Sequence, residues 1–352
     1  MSASSFPIAI IGAGGIGRMH MDEALRSPHV QLAALADPSP AAEQLARQHN
    51  VAWFADYRQM LEKTPLQAVI VATPNTTHTD IGVDCLQRRI TTLMEKPVAD
   101  TLEQGLRLCQ AADAHGAALM TGHHRRQNPI AQRARALVQD GVLGQPVSAT
   151  VMSTWYKPDS YFELDWHTRA GAGPVLINLI HDIDLLRFLW GDVTTVQAMT
   201  SGAVRGFEVE DTAGVLLRFA NGALASLSVS DTVVAPWNWD LTAGEAAHYP
   251  RQVVDAYFLS GTEGSLTLPG LHVWRYGESE KKGWHEPLTH EQTILHLGNP
   301  YAEQLRHLRA VAEARETPLC SGWEGLRTLQ TALAVHEAAQ TGSPVNLRPL
   351  SS

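Results

Sequence analysis

The chain's 352 residues are too many for one ordinary compact core, so two domains are expected. Hydrophobic residues make up 44% and charged residues 18%, which excludes a disordered chain, and a formal charge of -9 argues against a nucleic-acid partner. Cys85, Cys109 and Cys320 are odd in number and form no C-x-x-C, so unpaired thiols in a reducing compartment are expected. The N-terminal stretch carries no cationic leader and no apolar run reaches membrane-spanning length, so no membrane association is expected and the cytoplasm is the default location.

Along the chain, residues 7–11 form an apolar run that stops at Gly12, as a buried parallel strand does. A helix is predicted from Gly15 to Ser27, a strand over 31–36 ending at Asp37-Pro38, and a helix over 40–49. Short strands at 67–71, 91–94 and 117–120 alternate with helices at 76–89 and 101–115. This rhythm predicts a Rossmann-type, doubly wound parallel sheet closing near residue 123. Beyond a helix at 128–139 the texture changes to strands at 147–154, 193–201, 212–219, 223–230 and 257–260, with Asn221-Gly222 as a hairpin signal. Helices are predicted at 175–190, 302–315 and 325–340. The expected architecture is α/β: a Rossmann domain over 1–123, then an α+β domain over 124–352 with a large, mostly antiparallel open sheet.

Gly12-Ala13-Gly14-Gly15-Ile16-Gly17 matches G-x-G-x-x-G between the first strand and the first helix. Gly12 permits the tight turn, Gly14 lets backbone approach a pyrophosphate, and Gly17 lets helix and strand pack closely; Gly15 and Ile16 open the helix whose N–H groups face the phosphates. Asp37 follows at the distance where a carboxylate accepts hydrogen bonds from the adenosine ribose and repels a 2′-phosphate, so NAD is the expected cofactor, with NADP possible through the loop at Ser39.

Further segments resemble the glucose–fructose oxidoreductase/inositol dehydrogenase family (Gfo/Idh/MocA). They are Ala72-Thr73-Pro74-Asn75-Thr76-Thr77-His78, Glu95-Lys96-Pro97, Thr121 to Pro129, Gly171-Ala172-Gly173-Pro174 through His181-Asp182-Ile183-Asp184, and Gly261 to Ser265. The likeness runs from about Pro7 to Leu347 and implies an NAD(P)-dependent dehydrogenase. By that resemblance Lys96 touches substrate and nicotinamide, and His181 is the general acid/base. Thr73, Pro74, Asn75, His78 and Glu95 are placed with the cofactor.

The chemistry suits those residue types. Oxidising a secondary alcohol needs a group to take the hydroxyl proton, and histidine titrates near working pH. A lysine beside the same oxygen stabilises developing alkoxide charge. On residues alone, a lone helical histidine such as His181 is more often structural than catalytic, Lys96 at a strand end is usually a solvated lysine, and Thr73-Pro74-Asn75 reads as a strand-to-helix cap. The run His123-His124-Arg125-Arg126 reads as a basic turn or as a substrate contact through Arg126. His181 and Asp182 point about 100° apart on a helix, and no other cluster has ligand spacing, so no metal is expected.

In the second half, Trp155, Tyr156, Tyr161, Trp166, Trp237 and Trp239 supply rings that suit sugar or aromatic faces or that fill the core. Trp155 and Trp239 are expected to face substrate. Lys157, Arg169, His167 and Arg126 together suggest a cationic pocket for a carboxylated substrate. Many relatives carry an aspartate four residues before the catalytic histidine; Ile177 stands there, and Asn178 is expected to bond a substrate hydroxyl instead. The leading expectation is an oxidoreductase of sugars, cyclitols, sugar acids or related ring alcohols. Alternatives are a dehydrogenase of a carboxylated aromatic dihydrodiol, an NAD-dependent glycosidase, and a non-catalytic dinucleotide sensor. A homodimer or homotetramer built through the open sheet face is expected.

Overall fold

The computed structural model describes residues 6–169, 171–246, 248–277, 281–293 and 297–350. In the first half, short and mostly buried runs become strands β1 (Pro7–Ile11), β2 (Gln31–Ala36), β3 (Ala52–Phe54), β4 (Ala68–Val71), β5 (Thr91–Met94) and β6 (Leu119–Thr121), with β3 the least buried. They form one parallel sheet in the order β3-β2-β1-β4-β5-β6. Strand order reverses between β1 and β4, which places a ligand crevice outside their carboxyl ends. The helices Gly15–Arg26, Pro40–Gln48, Tyr57–Lys63, His78–Gln87 and Leu102–His115 connect these strands. Ser39, Asp56 and Thr101 cap three of them by accepting from backbone N–H groups. The sequence reading lacked β3 and the helix after it.

Two compact units result, but they are not divided as expected. The first runs through Gln127 and takes back residues Asn299–Leu329; the second comprises Asn128–Gly298 and Gln330–Pro349. The expectation of one continuous domain over 124–352 therefore misplaces the helix Pro300–Ala312. Its Leu305, Leu308 and Val311 join Ile8, Ile10, Met21 and Leu35 in the first unit's core, because one helical stripe of apolar residues needs a covered face.

The second unit is built on a nine-stranded sheet. Its strands are β7 (Pro146–Thr154), β8 (Val193–Ser201), β9 (Thr212–Phe219), β10 (Leu224–Ser230), β11 (Tyr257–Gly261), β12 (Gly264–Leu268), β13 (His272–Arg275), β14 (Thr289–Gln292) and β15 (Val345–Asn346), in the order β14-β13-β12-β11-β7-β10-β9-β8-β15. Only β7 and β10 run parallel; every other neighbouring pair is antiparallel. Strict alternation along β9 turns Val215, Leu217 and Phe219 inward and Gly214, Leu216 and Arg218 outward. The inner face carries the helices Pro129–Gln139 and Ile180–Trp190, the latter buried along its whole length. The predicted continuous helix over 175–190 is interrupted: Val175–Leu179 is a π turn, in which Ile180 N–H donates to Val175 O. Such turns concentrate at functional sites, because the wider winding re-aims side chains.

Candidate active site

In the first unit the dinucleotide-type turn leaves β1 at Gly12, whose φ is +98°. A Cβ there would lie 2.5 Å from Ala72 O, so only glycine lets the turn close against β4. Gly17 sits so tightly on Gly12 O that any side chain is excluded. Gly14 is the N-cap of the helix Gly15–Arg26 and makes no side-chain cap, while Gly14 and Gly15 have open space where side chains would stand. Ile16 is in the first turn of the same helix and half-buried.

Asp37 follows β2. Its Oδ2 accepts from Ala13 N–H at 2.8 Å and its Oδ1 from Ser39 N–H at 2.8 Å, which ties the glycine turn to the next loop. Burial raises the carboxyl's pKa, but the Ser39 hydroxyl, the Ala13 and Ser39 amides and the Arg18 charge outweigh it and hold the group below the usual carboxylate range. An ionised carboxylate with lone pairs to spare, beside an open cradle at a helix start, fits the adenosine ribose and pyrophosphate of a dinucleotide.

Thr73, Pro74 and Asn75 leave the carboxyl end of β4, with Pro74 exposed and its neighbours half-buried. Thr77 Oγ1 donates to Pro74 O at 2.7 Å and so fixes this loop. His78 has a different use from the cofactor contact expected of it. It is buried, with Nε2 at 2.9 Å from Thr73 O and Nδ1 at 2.9 Å from Pro97 O. Burial holds its pKa below the ordinary value even though both carbonyls favour the protonated ring, and the side chain packs between the two loops.

Glu95 and Lys96 leave the carboxyl end of β5. Glu95 is buried, accepting from His20 Nε2 at 2.7 Å and from the Lys96 amide at 3.1 Å. Lys96 is half-buried. Arg126, expected against substrate, is 3% exposed and donates to Leu319 O at 3.0 Å and Glu324 Oε2 at 3.1 Å, anchoring the start of the helix Gly322–Thr341. His20 and Tyr301 were missed by the sequence reading; Tyr301 stacks on His124 at 4.5 Å and meets His20 edge-on at 5.6 Å. The available signal for His20 was its place in the buried helical stripe Gly17, His20, Met21, Ala24.

In the second unit, Val175 N–H at the head of the π turn donates to Glu210 Oε1 at 3.0 Å, and Glu210 is paired with His336 at 3.3 Å. This anchors the segment that carries Asn178 and His181, which are 9% and 8% exposed. Asp182, one residue on, is turned into the core and accepts from the Tyr257 hydroxyl. A cavity of about 770 Å³ opens beside this helix. Asn178, Ile177, Trp155, Tyr161 and Tyr249 line it. Trp239 does not: its ring is 0% exposed and packs edge-on against Tyr257 at 5.7 Å, so the substrate contact expected of it is replaced by a core role. The expected cationic pocket also dissolves. Lys157 faces Asp231 at 3.7 Å, Arg169 is exposed and paired with Asp165, and His167 is tied to Tyr161 O. Among the described residues no group of three or more His, Cys, Asp or Glu is placed to hold a metal ion, and no helix is long and apolar enough to cross a membrane.

Residues 6–123 match the family model described as "Oxidoreductase family, NAD-binding Rossmann fold", and residues 131–267 match the one described as "GFO/IDH/MocA C-terminal domain". The scyllo-inositol 2-dehydrogenase (NAD(+)) of Bacillus subtilis is 25% identical over 358 residues, covering 96% of this chain and 95% of that protein. The 1,5-anhydro-D-fructose reductase of Ensifer adhaerens is 29% identical over 350 residues, covering 96% and 97%. The WlbA dehydrogenase from Bordetella pertussis, crystallised with NADH and UDP-GlcNAcA, shares the fold with a TM-score of 0.78 at 23% identity, over 99% of this chain and 100% of that one.

Proposed function

The chain belongs to the Gfo/Idh/MocA family of NAD-binding oxidoreductases, and from that premise we propose that it interconverts a secondary alcohol and a ketone on a sugar, cyclitol, sugar acid or related ring alcohol. The observation that carries this reading is the placement of Lys96 at the carboxyl edge of the same parallel sheet whose β1 and β2 present the glycine turn and Asp37. That edge is where ligands of such sheets bind. NAD, when bound, supplies the hydride acceptor.

The protein's own residues take the remaining tasks. Gly12, Gly14, Gly15, Ile16 and Gly17 form the pyrophosphate cradle, Asp37 holds the adenosine ribose, and the Thr73-Pro74-Asn75 loop borders the nicotinamide side. Lys96 stabilises the oxygen as it gains negative charge, and the His181 imidazole takes the hydroxyl proton. Asn178 and Trp155 hold the substrate ring. The names of relatives that act on inositols and on 1,5-anhydro-D-fructose support a ring alcohol as substrate. The working form is a homodimer or homotetramer joined through the open face of the nine-stranded sheet.

The test is NADH formation, followed at the nicotinamide absorbance, with a panel of cyclitols, aldoses, uronates, glycosides and aromatic dihydrodiols. Turnover of a ring alcohol supports the reading. Glycoside cleavage without net NADH would make the protein a glycosidase, and NAD binding without either reaction would make it a sensor.

A further inference from the structure

We propose that the cavity of the second unit selects an uncharged ring alcohol bearing a flat apolar substituent, such as an aryl glycoside, over free sugars, cyclitols and sugar acids. The proposal rests on the dehydrogenase reading above and names the substrate class of that same site.

Size is the first argument. The cavity of about 770 Å³ lies in the upper part of the range, roughly 300–1,000 Å³, that encloses drug-sized ligands. A single six-membered polyol ring occupies a small share of such a space.

The walls give the second. Trp155, Tyr161 and Tyr249 line the cavity with Pro158, Pro236 and Pro250, and the Trp155 and Tyr249 rings meet edge-on at 5.6 Å. Burial pushes the Tyr161 phenol up to about 12, with the Asp231 charge adding to the shift, so this wall is neutral near pH 7. A polyol pressed against these surfaces would leave hydroxyls without partners, which costs free energy, whereas a flat apolar group stacks on them.

The polar groups give the third. Asn178 Oδ1 is buried and has no hydrogen-bond partner within the described residues, so it calls for a donor such as a ring hydroxyl. Ile177 lines the same wall, and its hydrocarbon side chain carries no charge. The cation at the cavity is already compensated. Lys157 Nζ lies 3.7 Å from Asp231 and 4.8 Å from the Tyr161 ring. Arg205 donates to the same Asp231 at 2.8 Å and faces Asp159 at 3.7 Å. Two cations therefore meet two carboxylates, so the cavity presents no excess positive charge to attract a substrate carboxylate.

The experiment compares kcat/KM for phenyl, 4-nitrophenyl and methyl glucosides and galactosides in both anomeric forms with that for the free sugars, myo-inositol and D-glucuronate. Phenyl and methyl glycosides are also titrated into the enzyme by calorimetry. The proposal expects at least a tenfold preference for aryl over methyl glycosides and free sugars, with glucuronate poorest. Trp155→Leu and, as a second variant, Tyr249→Leu should bring the aryl-to-methyl ratio toward one. Equal or better turnover of free sugars, inositol or glucuronate overturns the substrate class and leaves the dehydrogenase reading standing. If nothing in the panel reduces NAD, that reading fails. Calorimetry then decides the cavity: tenfold tighter aryl binding supports the proposal, and equal or absent binding overturns it.

Discussion

His20 Nε2 lies 2.7 Å from Glu95 Oε1, and both side chains are closed to solvent. The other carboxylate oxygen accepts from the Lys96 amide at 3.1 Å, so one buried charge joins the helix Gly15–Arg26 to the turn that carries Lys96. Removing His20 takes away the carboxylate's nearest partner, and breaking a buried pair of this kind costs up to about 3–5 kcal/mol, less here because the Lys96 amide and the His124 and Lys96 charges remain. His20→Ala should therefore lower the thermal midpoint strongly. Glu95→Gln keeps the shape and the acceptor for the Lys96 amide and should be milder. Equal midpoints for wild type and His20→Ala would show that the pair contributes nothing.

The same carboxylate sets an acid limit. Burial raises the pKa of Glu95, but the His20 hydrogen bond and charge, with His124 and Lys96, bring it below the ordinary value. A carboxyl whose folded pKa is lowered stabilises the fold fully above its unfolded pKa of about 4.3 and loses that stabilisation as pH falls through the folded value. Stability should thus hold near neutrality and fall off on the acid side of that range. Glu95→Gln should flatten that acid limb, as measured by thermal midpoints across pH. An unchanged limb would assign acid sensitivity to other carboxylates, of which Glu210, also lowered despite its burial, is one.

Asp37 should set the cofactor choice. Its two oxygens already accept from Ala13 and Ser39, and the remaining lone pairs suit ribose hydroxyls while the charge repels a 2′-phosphate. Asp37→Ala should erode NAD-over-NADP discrimination by about 1.5–3 kcal/mol, the scale of a lost charge-assisted hydrogen bond. The measurement is the ratio of kcat/KM for the two cofactors. Wild-type enzyme using both equally would refute the assignment.

Elements whose signal is local were legible, and those set by distant packing were not. The strands at 7–11 and 31–36 are buried along most of their length, so they read as largely apolar runs, and Gly12 and Asp37 follow from their ends. β14, Thr289-His-Glu-Gln, is exposed along its length and has no apolar pattern to read. The helix Pro300–Ala312 had a clear apolar stripe, but a stripe does not say which core it covers. Composition marked Trp155 and Trp239 alike, and only packing separates a cavity wall from a core filler. Arg126 looked like a surface basic turn because its partners, Leu319 and Glu324, lie almost 200 residues away in sequence.

The open face of the nine-stranded sheet should hold a second copy of the chain. Register places Gln197, Leu216, Ser226, Thr150, Phe258 and Thr267 in one row across six strands, all on the outward face. Leu216 is 56% exposed, and Met199 on the same face is 81% exposed. Small hydroxyl residues between exposed apolar ones make a flat surface that two sheets can share. Light scattering at micromolar concentration should report a dimer or tetramer, and Leu216→Arg should shift it toward monomer. A wild-type monomer would exclude this interface.

Variants of Lys96, His181 and Asn178 should separate chemistry from binding. Loss of a general acid/base costs about 10²–10⁴-fold, so His181→Ala should lose turnover on that scale, and Lys96→Ala should lose kcat with it, while both fold normally. Asn178 lies in the π turn that precedes His181 and lines the cavity, and its buried Oδ1 has no hydrogen-bond partner within the described residues. Its bond to a substrate hydroxyl would act equally on ground and transition states, so Asn178→Ala should raise KM and leave kcat nearly unchanged. The size should be about 0.5–1.5 kcal/mol, the net value of one neutral hydrogen bond. Asn178→Asp restores an acceptor and adds the charge that many relatives carry one residue earlier. It should recover affinity for polyhydroxylated rings and raise the pH at which His181 loses its proton, seen as a displaced acid limb of kcat/KM. A kcat loss in Asn178→Ala matching that of His181→Ala would move Asn178 from holding the substrate to taking part in the proton step.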